Sequence, residues 1–157
     1  MLQLEHINLV ISDLSKSLHF YRAAFPHWRI RAKGGGEWYG KPRTWVHFGD
    51  DYQYLALSEF GEGENRDLTG HQVGLAHFAF VTQNIDAVID RLQRAGYEIA
   101  IPGALEPHRR NVYFIDPDGF EIEFIQYLSD LPNQRNAQPD EVSEAAAQHS
   151  LHEEEVA

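Results

Sequence analysis

His6 and His77 stand at matching places in two segments of similar pattern, and Glu123 lies in a third such segment two residues after Glu121. Each segment alternates with the period of a strand. Leu4, His6, Asn8 and Val10 share one face and Glu5, Ile7, Leu9 and Ile11 the other; Leu75, His77, Ala79 and Val81 are set against Phe78 and Phe80. Glu121, Glu123 and Ile125 are likewise opposed to Ile122 and Phe124. If the units carrying these segments join side by side into one curved sheet, His6, His77 and Glu123 converge on its concave face. Two imidazoles and a carboxylate suit one divalent cation (iron, zinc, nickel or manganese), and three protein ligands leave positions open for water or substrate. An open site favours catalysis over structural support. Asn8, next to His6 on the same face, is a candidate for the reaction itself.

The elements that must position these groups repeat. After the first alternating segment, Ser12 or Asp13 can cap a helix whose apolar residues Leu14, Leu18, Tyr21 and Phe25 recur at helical spacing. After the second, Asn84 caps a helix carrying Ile85, Val88, Ile89 and Leu92, with Gly96 placed to end it. Aligning His77 with His6 puts Asn84 on Asp13 and Ile85 on Leu14 without a gap. Each copy continues into a hairpin, Thr44–Phe48 with Tyr54–Leu57 and Asn111–Ile115 with Glu121–Ile125, turning through Gly49-Asp50-Asp51 and Asp116-Pro117-Asp118-Gly119. A weaker strand is expected around Trp28–Ala32 and Tyr97–Ile101. Each unit therefore reads β-α-β-β-β, an α+β pair of modules. The stretch from Gly34 to Arg43 reads as a flexible surface loop carrying aromatics and cations.

With 157 residues the chain holds one domain with a sizeable core, so the duplication lies within a single fold, residues 1–132, with modules of about 2–60 and 73–130. Residues 133–157 form an acidic tail, in which a short amphipathic helix is expected from Asp140 to Leu151. The absence of cysteine excludes disulfides, thiolate ligands, iron–sulfur clusters and cysteine nucleophiles. A formal charge of −11 argues against nucleic acid and anionic membrane as partners. No basic region followed by an apolar stretch opens the chain and no apolar run is long enough to span a bilayer, so a cytoplasmic protein is expected.

The segments Leu4-Glu5-His6-Ile7-Asn8-Leu9-Val10-Ile11-Ser12-Asp13-Leu14 with Phe20-Tyr21, Gly74-Leu75-Ala76-His77-Phe78-Ala79-Phe80, and Val112-Tyr113-Phe114-Ile115-Asp116-Pro117-Asp118-Gly119-Phe120-Glu121-Ile122-Glu123-Phe124 resemble the vicinal oxygen chelate superfamily. That superfamily joins glyoxalase I, fosfomycin-modifying enzymes, extradiol dioxygenases and bleomycin-resistance proteins. The resemblance, over roughly residues 2–130, implies paired β-α-β-β-β modules forming an open barrel around one divalent metal, in a homodimer that acts on a small molecule. It implies metal ligands at His6, His77 and Glu123. The fourth, carboxylate ligand of glyoxalase I matches Ala56, which cannot bind metal or move a proton. Tyr113 falls where fosfomycin enzymes and extradiol dioxygenases carry an active-site tyrosine, and His108 or His47 could serve as the histidine base that the dioxygenases carry beside the metal. Arg109 and Arg110, just before the Tyr113 strand, are candidates with His108 for guiding an anionic substrate. The reaction implied first is extradiol-type oxygenation of a substrate with vicinal oxygens. A glyoxalase I-like lyase or isomerase and a non-catalytic drug-binding protein are the alternatives.

Overall fold

The alternating segments become strands and the capped segments helices. In the computed structural model, which describes residues 2–104 and 106–137, the first module runs β1 (His6–Val10), α1 (Leu14–Ala24), β2 (Arg29–Trp38), β3 (Lys41–Gly49) and β4 (Tyr54–Ser58). The second runs β5 (Phe78–Val81), α2 (Ile85–Arg94), β6 (Ile101–Pro102), β7 (Arg109–Ile115) and β8 (Glu121–Tyr127), and a single turn, α3 (Pro132–Arg135), follows. The helix expected from Asp140 to Leu151 lies outside the described residues. Asp13 caps α1 by accepting from the Lys16 amide at 3.0 Å, and Asn84 caps α2 by accepting from the Ala87 amide at the same distance. Gly96, at φ 92°, ends α2 in the left-handed region that glycine enters without strain.

The strands form two four-stranded sheets, ordered β1-β4-β3-β2 and β5-β8-β7-β6, with the same parallel-then-antiparallel pairing in each. The modules thus repeat as the aligned segments require. They do not join into one curved sheet within the chain; β1 and β2 are the edges of one sheet and β5 and β6 those of the other. One face of each sheet packs inward. Ile11, Phe20, Tyr21, Phe48, Leu55 and Leu57 from the first module and Ile85, Leu92, Phe114, Ile122 and Phe124 from the second form one buried core. Phe25 and Trp28 bridge the modules through ring contacts with Phe80.

The glycine-rich segment is strand, not loop. β2 continues through Gly34, Gly35 and Gly36, pairs with β3 as far as Trp38 opposite Lys41, and turns at Tyr39-Gly40, both at positive φ. At Gly34 a Cβ would stand 2.7 Å from the Trp45 ring, so the missing side chain is what lets the indole lie over the strand. Of Gly34, Gly35 and Gly36, only Gly34 is packed this closely.

Polar contacts lock the modules together. Tyr21, fully buried, donates to Asp116 Oδ2 at 2.7 Å, while Asp116 Oδ1 accepts the amides of Asp118 and Phe120 at 2.9 Å each. Tyr21→Phe leaves Oδ2 buried without its donor, and urea unfolding should show a loss of about 1–3 kcal/mol. Burial raises the Asp116 carboxyl above its ordinary range, with the Tyr21 and backbone donors opposing it. A group raised in the fold contributes fully below its unfolded pKa, and that contribution is lost as pH rises through the folded value. The wild-type unfolding midpoint should therefore rise relative to that of Asp116→Asn as pH falls from neutrality toward the ordinary aspartate range. A flat or reversed difference would contradict the assignment.

Candidate metal and catalytic site

β8 lies between β5 and β7, so its alternate residues Glu121, Glu123 and Ile125 face the open side of the sheet while Ile122 and Phe124 enter the core. Ala79 stands opposite Glu123 on one side and Tyr113 on the other. His77, two residues before Ala79, brings Nε2 to 3.4 Å from Glu123 Oε2 and Nδ1 to 3.9 Å from Glu121 Oε1. The Tyr113 ring stands edge-on to the imidazole at 5.6 Å. Asn111 donates from Nδ2 to Glu123 Oε1 at 2.8 Å and to Tyr113 Oη at 3.3 Å. Burial, then the neighbouring Glu123 carboxylate, raises the Tyr113 phenol above its ordinary value, so it is a proton donor at neutral pH.

The first module offers the other half. His6 is level with Tyr54 and Asn8 with Ala56, and His47 lies across Ala56 on the far side. The His6 and His47 rings each stack on Tyr54, at 4.7 and 4.4 Å. Glu5 holds His6 Nδ1 at 3.0 Å, which leaves Nε2 open. Partial burial lowers the His47 pKa first, and the positive fields of His6, Arg31 and Arg43 lower it further, so His47 is a neutral imidazole at neutral pH.

The registers make the two halves equivalent: Ala56 lies between Asn8 and His47 as Glu123 lies between Ala79 and Tyr113. His77, Glu123 and Tyr113 come together, and His6 and Asn8 come together on the other sheet. Among the described residues no three His, Asp or Glu side chains are grouped to hold a metal ion. Of the cationic candidates, Arg110 donates to both Asp86 oxygens, at 2.9 and 2.7 Å, and its neighbours Asn111 and Arg109 are the β7 residues on the Tyr113 face. Arg109 is ion-paired with Glu106. His108 precedes β7, its carbonyl accepting the Leu128 amide at 2.8 Å. Asn111 and Tyr54 escaped the sequence reading. Their signal was present in the repeat, since both share the alternation that singles out Tyr113 and Ala56.

The family model described as Glyoxalase/Bleomycin resistance protein/Dioxygenase superfamily matches residues 3–124. Two lactoylglutathione lyases, from Neisseria meningitidis serogroups A and B, are each 31% identical over 133 residues, covering 82% of this chain and 93% of theirs. Among solved structures, a glyoxylase/bleomycin resistance protein/dioxygenase domain from Frankia sp. EAN1pec superposes with TM-score 0.66 at 22% identity, over 81% of this chain and 98% of that one. A mutant fosfomycin resistance protein, FosX, from Listeria monocytogenes, complexed with Mn(II) and 1S,2S-dihydroxypropylphosphonic acid, superposes with TM-score 0.65 at 22% identity, over 87% and 99%. No helix among the described residues is long and apolar enough to cross a membrane.

Proposed function

This chain belongs to the Glyoxalase/Bleomycin resistance protein/Dioxygenase superfamily, and from that premise we propose that it is a divalent-metal enzyme for a small substrate with adjacent oxygens, its site completed between two copies. The observation that carries this reading is the division of the ligand set: His6 beside the free edge β1, and His77 with Glu123 beside the free edge β5. Pairing β1 of one copy with β5 of another satisfies both edges and brings His6 toward the partner copy's half-site. The open faces also expose Val10, Val81, Ile101 and Ile115 around the polar groups, apolar surface that a partner would cover.

The donors fit such a cation. His6 and His77 are partly exposed imidazoles, and Glu123 is a carboxylate already oriented by Asn111. When bound, the cation supplies Lewis acidity that stabilises negative charge developing on chelated oxygens. The chain's own groups do the rest. Glu5 fixes the tautomer of His6, Asn111 holds one Glu123 oxygen, Tyr113 Oη offers a proton, and a His47 ring nitrogen accepts one. Ala56 removes the second carboxylate that a glutamate-based proton shuttle would use, and His47 beside it is the replacement base. A neutral imidazole and a phenol at this site favour extradiol-type oxygenation of a catechol-like substrate. Lyase chemistry is the second reading, favoured by the 31% identity to lactoylglutathione lyases.

Two assays separate these readings. Iron-loaded protein should cleave catechol-like compounds under air, and nickel- or zinc-loaded protein should leave the thiol adduct of a 2-oxoaldehyde unchanged. Turnover of the adduct with inert catechols reverses the order. Ligand binding without turnover in either assay replaces both with a binding protein.

A further inference from the structure

Arg43 is a partly buried cation that meets no carboxylate among the described residues, although the chain carries a formal charge of −11. Arg29, Lys41, Arg94, Arg109 and Arg110 are each paired with an acid. Arg43 is instead fixed by neutral groups. Its Nε and Nη2 donate to Ser58 Oγ at 3.2 and 2.7 Å, Ser58 donates to Asn8 Oδ1 at 2.9 Å, and the guanidinium lies 4.5 Å over the Trp38 ring. Ser58 is fully buried, so the relay is anchored in the sheet. One edge of the guanidinium is therefore committed. The other, formed by Nη1 and the second Nη2 proton, makes no hydrogen bond among the described residues and retains the geometry that matches a carboxylate in two parallel hydrogen bonds.

Arg43 also shares a face with the candidate metal ligand. β3 residues Arg43, Trp45 and His47 and β4 residues Tyr54, Ala56 and Ser58 lie on the side of the sheet that carries His6 and Asn8. His6 is level with Tyr54, and Ser58 is four residues further along β4, roughly 13 Å at the rise of a strand. Trp45, level with Ser58 on β3, packs its ring against Gly34. A partly desolvated cation without a counter-charge is unfavourable until an anion reaches it.

We propose that Arg43 anchors a terminal carboxylate of an elongated substrate whose chelating oxygens lie at His6. The proposal rests on the metal reading for the position of the chelating end and on Arg43, Ser58 and Trp38 for the anionic end. The substrate class becomes a chain-like or flat molecule with vicinal oxygens at one terminus and a carboxylate about one sheet-length away.

The probe is an eight-carbon chain with a hydroxamate at one end and a carboxylate at the other, compared with its methyl ester by titration calorimetry on the full chain. The free acid should bind about 10- to 100-fold tighter than the ester, the range of a charge-assisted bidentate contact. Arg43→Gln should abolish that preference while leaving acetohydroxamate affinity and metal content unchanged. Ser58→Ala, which keeps the charge but frees the guanidinium, should reduce the preference in a protein that retains the cation. Equal affinity of acid and ester in the wild type, or a preference that survives Arg43→Gln, overturns the anchor. The same titrations on metal-stripped protein separate the two ideas. If the acid preference persists while acetohydroxamate gains nothing from added metal, the anchor stands and the metal reading fails; if acetohydroxamate binds only with metal and the acid has no preference, the anchor alone fails.

Discussion

Alanine at His6, at His77 or at Glu123 should each lower bound divalent metal by more than about 100-fold, exceeding the 10- to 100-fold loss typical of removing an outer-sphere partner. The unfolding midpoint should stay near that of the wild type, because none of the three belongs to the apolar core that joins the modules. The distinctive consequence comes from mixing variants. A dimer of His6→Ala with Glu123→Ala contains one site in which every ligand is intact, His6 from one chain and His77 with Glu123 from the other, and one site missing two ligands. Co-refolded mixtures should therefore recover metal binding that neither variant has alone. Elemental analysis after gel filtration measures it. Full occupancy in all three single variants would remove the ligand assignment, and failure of the mixture to recover metal would place the ligands within one chain.

Replacing His47 by alanine should lower kcat/KM by about 10²- to 10⁴-fold, the usual contribution of a positioned general base, with metal content unchanged. His47 has the same place against Ala56 that Tyr113 has against Glu123, and burial first, with the nearby Arg31 and Arg43 guanidinium groups, disfavours its protonated form. The acid limb of the wild-type kcat/KM profile should accordingly lie below the ordinary imidazole range and vanish in the variant. Tyr113→Phe removes a proton donor from the other side and should slow the reaction while Glu123 remains held by Asn111. An unaltered pH profile in His47→Ala would assign the base to another group.

Local chemistry made much of this legible in advance. The alternation around His6, His77 and Glu123 depends only on the period of a strand, and the caps at Asp13 and Asn84 depend only on side chains a few residues from their own helix. The repeat of β-α-β-β-β units followed from those signals, and the family was recognisable from the same residues. What sequence by itself could not determine was pairing between distant segments. Gly34–Gly36 read as loop because a glycine's composition signal is the same whether it bends the chain or makes room for Trp45, and only the β2–β3 register distinguishes the two. The same holds for Arg43, which acquires a fixed edge and an open edge only when β4 brings Ser58 beside it. His6 and His77 carry matching local signals, yet they belong to separate sheets, because the modules join through the buried faces of their sheets and not edge to edge. Which residues share a face is thus a property of strand periodicity, whereas which sheet carries each of them is decided by tertiary pairing.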